Sequence, residues 1–402
     1  MIGVGVSVTL ISCASLHKKN VMKIKPSVAE SVAAKLAAQK LWTKAMRGMA
    51  LTLQKLVPYL YSRSEFGNPR NKRNLQKLIH SFAKGVKAVP QHAGEKLLGR
   101  DPIVRYAVGQ LKTNTHAAEK AFGEGHIEFA RTVLRENTGL CFSCHTASKY
   151  GPQDNFSHMI LPAQFSISPV ERADFYVATR QFDRATVLLE NELKTSNQWI
   201  ADPHEQLHAL RRYLALEIRV KNKPGRAARF LETLLRERSL PYFIASDAKV
   251  WVKSLRKWQR EPFLDQRKLI REKVLFLRAR KMVRKGRELQ ASDTYQGGFV
   301  DFLRASALLH ECLRAKLNAV QKARIYRMLG QSYEIIAENG TWNLPEFYYE
   351  ACVRIVPKTA LAKMCYHDFE RTVILGYSGS GGIFVPAELQ QRLMKLRRLS
   401  GF

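Results

Sequence analysis

Acidic residues and long apolar runs are scarce in this chain of 402 residues. Only 34 acidic residues stand against 66 lysines and arginines, which leaves a formal net charge of +32. Beyond the N-terminus no stretch of about 18 uncharged apolar residues occurs, so no later membrane-spanning helix is predicted. The Gly-x-Ser-x-Gly turn of serine hydrolases is also missing. Neither hydrolase nor zinc-protease chemistry is expected, and no catalytic side chain is nominated.

The excess of positive charge favours anionic partners, among them nucleic acid, an acidic membrane surface, cell-wall polymer and an acidic protein. Nucleic-acid binders usually concentrate lysine and arginine in a stripe or a tail. Here the basic residues recur every few positions along nearly the whole chain. We therefore interpret most of them as solvated helix faces, and nucleic acid is not an expected partner.

A hydrophobic content of 46% and a charged content of 25% are typical of globular proteins. The length allows two or three domains with cores of their own. The glycine-rich stretch over residues 376–382 lacks the Lys-Ser or Lys-Thr of a phosphate-binding loop and follows no predicted strand. It is interpreted as a flexible loop.

An apolar run over residues 1–14 is too short to span a bilayer as a helix but fits the core of a signal peptide, although no basic region precedes it. Residues 10–13, Leu-Ile-Ser-Cys, resemble a lipobox in which Cys13 is lipidated, while the small residues at 12–15 also permit ordinary cleavage. We predict an export signal over residues 1–20. The expected location is the bacterial periplasm, either soluble or anchored to the membrane through Cys13. A buried N-terminal segment of the mature protein remains the alternative.

The most specific motif of the chain is Cys-x-x-Cys-His, formed by Cys141-Phe142-Ser143-Cys144-His145. On a helix, positions three and four apart share one face, so both thiols and the imidazole can point at the same porphyrin edge. Such thiols add across the two vinyl groups of a haem, and the imidazole binds the iron as proximal ligand. The motif therefore predicts one covalent haem c attached through Cys141 and Cys144, with its iron held by His145.

Two other uses of this cysteine pair stay open. A thioredoxin-like redox pair would begin a helix after a strand, whereas only a helical pattern precedes Cys141. A zinc site would need a second pair of ligands at metal spacing, which Cys312, Cys352 and Cys365 do not supply. Haem is favoured over both, provided that the chain is exported, since haem is attached to such motifs outside the cytoplasm.

Four helices are predicted up to the end of the motif, because apolar residues recur there at intervals of three and four. Their expected ranges are Val28 to about Tyr61, about Asn71 to Val89, Asp101 to about Phe122, and Ile127 through the motif. Asp101 and Pro102 offer an N-cap and a first-turn proline for the third helix. The pattern predicts an up-down four-helix bundle over residues 28–149.

This arrangement resembles the class II c-type cytochromes, the cytochrome c-prime group, whose attachment motif lies near the end of the last helix of a four-helix bundle. Thr138-Gly139-Leu140 before the motif is similar to the terminal signature of that family, which has a glycine shortly before the first cysteine. The resemblance covers under a third of the chain. It implies an iron whose sixth ligand is either a methionine from the first helix, as in a low-spin electron carrier, or absent.

Met46 and Met49 both fall on the first predicted helix, and we favour Met46 as the sixth ligand. Because they lie three residues apart, at most one is expected to face the iron, and a flexible core filler is the alternative for each. Other candidates, for which a surface position is the commoner outcome, are His92, His116, His126 and the pair His158-Met159.

Residues 150–169 are predicted to be a linker, rich in glycine and proline, that packs down through Phe156, Ile160, Leu161 and Phe165. Residues 170–402 are predicted to form a degenerate α-solenoid of tetratricopeptide-like helix pairs, with an irregular helical domain as the alternative. The aromatic and small positions of these pairs are Tyr176, Phe182, Ala185, Leu189, Tyr326, Leu329, Gly330 and Tyr333, with Pro357 closing the second pair.

Cys352 and Cys365 lie on consecutive predicted helices on either side of Pro357. An oxidising compartment would permit a disulfide between them. Buried free thiols that behave as small hydrophobes are the expected state.

The sequence thus predicts an all-α, exported c-type cytochrome that transfers electrons and docks protein partners through its helical repeats. The positive charge would steer an acidic redox partner. Two alternatives stay open: a haem-based sensor or scavenger of a small gas such as nitric oxide, and a basic helical-repeat adaptor without haem.

Overall fold

The computed structural model describes residues 28–89, 101–147, 156, 158–161, 167–261, 270–291, 294–336 and 341–402. Within these ranges the fold is all-α, as predicted, apart from turns and one small hairpin. The export signal expected over residues 1–20 and much of the linker expected over residues 150–169 lie outside the described residues.

The N-terminal part contains four long helices and a short one, in the order that the apolar spacing predicts. They are α1 (Val28–Leu60), α2 (Arg63–Gly67), α3 (Lys72–Lys87), α4 (Pro102–Gly123) and α5 (Ile127–Ala147). The Asp101 carboxylate accepts the backbone N–H of Ile103 at 3.1 Å and so caps α4, as its sequence suggests. Gly125 takes a φ of 89° between α4 and α5, where only glycine turns without strain.

From Pro169 onward the chain continues as shorter helices that pack mainly on their neighbours in sequence. They are α6 (Pro169–Ala178), α7 (Phe182–Thr195), α8 (Pro203–Ala215), α9 (Pro224–Glu237), α10 (Tyr242–Gln259), α11 (Ile270–Gln290), α12 (Phe299–Cys312), α13 (Ala319–Ile336), α14 (Leu344–Ile355), α15 (Ala360–Gly376) and α16 (Ala387–Ser400). A π-helical turn, Leu216–Val220, extends α8.

The flexible loop expected over residues 376–382 is instead a tight turn. Strand β1 (Ser378–Gly379) pairs antiparallel with strand β2 (Gly382–Ile383). Gly382 has a φ of 109°, a conformation that glycine adopts without a steric penalty. The abundance of glycine here therefore serves a hairpin.

Helices α13 and α14 make one of the closest contacts of the fold. A Cβ atom built on Gly330 of α13 would lie only 2.4 Å from Cε1 of Tyr349 on α14, which is fully buried. The small residue lets the two helix backbones approach and the aromatic ring fills the space between them. Ala185 and Leu189 on α7 are likewise fully buried where α7 packs on α6.

The N-terminal and C-terminal helices meet at a buried polar cluster around Asp101. The Tyr348 hydroxyl donates to Asp101 at 3.0 Å, and His310 Nδ1 forms a short hydrogen bond with the same carboxylate. Tyr333 bonds to His310 Nε2 at 2.8 Å and accepts from Arg219 at 2.7 Å. Burial alone would raise the pKa of Asp101, but the facing His310 and these hydrogen bonds hold it below its ordinary value. The cap of α4 is therefore also a link to α12 and α14.

The expectation of free thiols at Cys352 and Cys365 is wrong, since the structure joins them in a disulfide between α14 and α15. Their Cα atoms lie 6.1 Å apart, which is within the range that a disulfide spans. Both residues are fully buried. The packing of consecutive helices around Pro357 sets this distance, and helix spacing in the sequence does not reveal it.

Candidate haem site

A cavity opens between α1, α3, α4 and α5, and the turn between α6 and α7 closes one side of it. The volume of the cavity is about 230 Å³. The empty space in and around it, which includes open solvent at the mouth, is about 1430 Å³. The lining is mostly apolar and consists of Gln39, Trp42, Thr43, Met46, Met49, Ala50, Leu53, Phe82, Ala107, Val108, Leu111, Leu140, Cys141, Cys144, His145, Phe156, Ala178 and Arg180.

All three motif residues, Cys141, Cys144 and His145, line this cavity from the last turns of α5. Their shared face follows from helical spacing, as the sequence predicts. Phe142, one of the two residues between the cysteines, is fully buried on another side of α5. The guanidinium of Arg212 lies 4.2 Å from its ring centroid there. Packing behind the motif thus fixes which face of α5 looks into the cavity.

The His145 ring is oriented by the backbone of α6. Its Nδ1 atom donates to the carbonyl oxygen of Val177 at 3.0 Å, which leaves Nε2 as the nitrogen with a free lone pair. Nε2 makes no hydrogen bond within the described part of the chain. Burial, with a smaller contribution from Arg180, lowers the pKa of His145 to about 4, so the ring is neutral at pH 7. A neutral imidazole held through Nδ1 is the form that binds a metal.

The two thiols are unpaired and protonated. Cys141 and Cys144 form no disulfide. Burial raises the pKa of Cys141 to about 12 and that of Cys144 to about 11, with the negative charge of Asp101 adding to the second shift. Thioredoxin-like pairs depend on a lowered thiol pKa. The environment is therefore the opposite of the one that a reactive redox pair needs.

Met46 and Met49 both reach the cavity from α1. Met49 is buried, and its Cγ atom lies 3.1 Å from the position that a Cβ on Gly85 of α3 would take, so it fills the α1–α3 contact. Met46 is only partly buried. Met46 is therefore the less confined of the two side chains, and its role as sixth iron ligand stays a prediction.

Of the histidines considered as sixth ligands, the three that the structure describes are not brought to the cavity. His116, His126 and His158 are exposed and do not line it, and His92 lies outside the described residues. Met159 is buried elsewhere in the core. Phe156 and Leu161 of the expected linker do pack down, and Phe156 lines the cavity, whereas Ile160 is 54% exposed. Phe165 lies outside the described residues.

Sequence reasoning missed Arg180, which lines the cavity from the turn between α6 and α7. Its φ is 59°, a left-handed conformation that is uncommon for a residue with a side chain. The turn is held by Gln181, whose side-chain amide donates to the Met159 carbonyl and the Thr179 hydroxyl, both at 2.9 Å. A left-handed arginine leaves no mark in a sequence pattern, so only the structure could find it.

A second metal-type motif, His204-Glu205-Gln206-Leu207-His208, opens α8 and corrects the expectation that the chain has no zinc-protease helix. His208 Nδ1 lies 3.8 Å from Glu205, and the neighbouring positive charge of Arg212 lowers the pKa of His208. The described residues contain no group of three or more His, Cys, Asp or Glu side chains placed to hold a metal ion. Within the ranges that the structure covers, the motif is therefore present without the third protein ligand that such zinc sites use.

Comparison of the chain with protein-family models, with curated proteins and with solved structures gives no match. Among the described helices, none combines the length and the apolar character that a bilayer crossing requires. The feature of the chain that points to a function is therefore the geometry of the cavity.

Proposed function

We propose that this chain is an exported c-type cytochrome that carries one covalent haem and transfers electrons. The observation that supports it most is the convergence of two thiols and a neutral, backbone-oriented imidazole on one apolar cavity. A haem iron takes four ligands from the porphyrin, so it needs only one or two from the protein. The lack of a larger ligand cluster among the described residues is compatible with that requirement.

Each residue has a defined part in this proposal. Cys141 and Cys144 would each hold the haem through a thioether bond, the sulfur and the hydrogen of each thiol adding across the double bond of one vinyl group. His145 offers Nε2 to the iron while Val177 holds Nδ1. Arg180 provides a cationic side chain in a mostly apolar lining and would suit a haem propionate. The bound haem would supply the one-electron chemistry.

The rest of the chain extends this proposal. The helices α1, α3, α4 and α5 would form the haem bundle, in keeping with the resemblance to the cytochrome c-prime group, and the helices after Pro169 a tetratricopeptide-like scaffold for partners. The disulfide between Cys352 and Cys365 supports export, because such bonds persist in oxidising compartments such as the periplasm. An acidic redox partner, steered by the net charge of +32, fits the same proposal.

A gas-binding role is the second candidate, and one observation favours it. The part of the cavity wall that α1 forms is largely apolar and includes Trp42, Ala50 and Leu53. If Met46 stays off the iron, such a wall would leave a vacant sixth position that carbon monoxide or nitric oxide can enter.

Absorbance spectroscopy of protein co-expressed with haem-maturation machinery tests the proposal. The electron carrier is expected to give a low-spin spectrum that does not change with carbon monoxide. A high-spin ferrous spectrum that shifts with carbon monoxide would instead support the gas-binding role. Cys144→Ala is expected to weaken or abolish covalent haem retention on a denaturing gel stained for haem peroxidase activity, because only the Cys141 thiol remains. A wild-type band without stain would favour the basic helical adaptor without haem.

A further inference from the structure

A second concave region lies between α11, α13 and α15, and we call it the arginine groove. The volume of this groove is about 710 Å³. Its lining combines five arginines with five apolar side chains, one glutamate and one glutamine, namely Phe276, Arg280, Val283, Arg284, Arg287, Glu288, Arg324, Arg327, Met328, Gln331, Leu361 and Met364.

The charge of this groove is only partly neutralised. Arg327 pairs with Asp368 at 2.6 Å, and Arg284 lies 3.7 Å from Glu288. Arg280, Arg287 and Arg324 are exposed and form no ion pair within the described part of the chain. Three guanidinium groups on two facing helices are thus available to an anionic ligand.

Every cationic side chain in the lining is an arginine, although lysine is abundant in the chain. Guanidinium groups bind carboxylates through two parallel hydrogen bonds, which an ammonium group cannot do. Between the arginines lie apolar side chains, of which Met364 is 42% exposed. The groove therefore combines carboxylate recognition with an adaptable apolar surface.

We infer that the arginine groove binds a segment of an acidic partner protein in which carboxylates alternate with apolar side chains. A second copy of this chain would bring a like charge of +32, so self-association is disfavoured. Single-stranded nucleic acid would call for a row of aromatic stacking residues, and the lining holds only Phe276. The inference deepens the proposed function, on which it rests for the identity of the partner as a redox protein, by giving that partner a docking surface.

Binding of a fluorescein-labelled helical peptide composed of Glu, Leu and Ala tests the inference by fluorescence anisotropy on the full chain. The double variant Arg287→Glu/Arg324→Glu is expected to weaken binding about tenfold or more, since it replaces attraction with repulsion at two points of the groove. The matched control is Arg229→Glu/Lys249→Glu on α9 and α10, which reverses the charge of two exposed basic residues away from the groove and changes the net charge equally. It is expected to change binding less than about twofold, because isolated surface charges contribute little.

Several outcomes would overturn the inference. One is that the wild-type chain does not bind the peptide, and another is that the Arg229→Glu/Lys249→Glu control loses as much peptide affinity as the groove variant. The others are that an oligonucleotide displaces the peptide and itself requires Arg287 and Arg324, or that the chain dimerises through the groove as its concentration rises. The haem spectrum of each variant is recorded in parallel. A wild-type chain that carries no haem but binds the peptide would reject the proposed function and leave the groove standing. Unchanged peptide binding by the Arg287→Glu/Arg324→Glu variant, with haem in place, would reject the groove alone.

Discussion

Gly330→Ala tests one of the closest helix contacts in the C-terminal part of the fold. An added Cβ would lie 2.4 Å from the Tyr349 ring, whereas carbon atoms in contact lie about 3.5–4.0 Å apart. The ring cannot move aside easily, because Tyr349 is fully buried and its hydroxyl donates to Glu334. Overpacking of this kind costs about 1–3 kcal/mol. Alanine recovers about 1 kcal/mol through its higher helix propensity, so a net loss of up to about 2 kcal/mol is expected.

Gly48→Ala is the matched control, since Gly48 is an exposed position in α1 with open space around its Cβ. This variant is expected to gain about 1 kcal/mol from helix propensity alone. Chemical denaturation followed by circular dichroism measures both. The free energies of unfolding of the two variants should differ by about 1–3 kcal/mol, the sum of the control gain and the Gly330 loss. If Gly330→Ala stabilised the protein as much as Gly48→Ala does, the close approach of α13 and α14 would be refuted.

Three further predictions concern the site and its surroundings. Met46→Ala is expected to convert a low-spin haem spectrum to a high-spin one, whereas Met49→Ala should keep the spin state and lose about 2–5 kcal/mol of stability; the reverse pattern would exchange their roles. Replacing Cys352 and Cys365 together by alanine should lower the free energy of unfolding by about 3 kcal/mol, as closure of a loop of this length predicts, and equal stability with oxidised wild type would contradict the disulfide. Arg180→Leu should lower both haem content and reduction potential, because a positive charge beside the haem favours ferrous iron; Arg180→Lys should keep more of each, and an unchanged potential in the leucine variant would remove the assigned role.

Local patterns in the sequence predict much of the helical framework. Apolar residues three and four apart mark α1, α3, α4 and α5, and Asp101 marks the start of α4 because capping is a short-range effect. The shared face of Cys141, Cys144 and His145 is equally local, since it needs only the geometry of one helix. These features could therefore be derived before any tertiary contact was known.

Contacts between helices could not be derived in this way. The Cys352–Cys365 disulfide depends on the crossing of α14 and α15, and the role of Val177 at His145 depends on where α6 docks. Arg180 enters the cavity from a left-handed turn that carries no glycine signal. Each depends on long-range packing, which the period of a single helix does not encode.

The most direct test of the account is the intact mass of the exported, fully denatured chain. The account predicts the polypeptide mass increased by that of one haem, with the addition lost in a Cys141→Ala/Cys144→Ala variant that still folds. A wild-type mass equal to that of the bare polypeptide, after maturation machinery has loaded a known c-type cytochrome in the same cells, would contradict it.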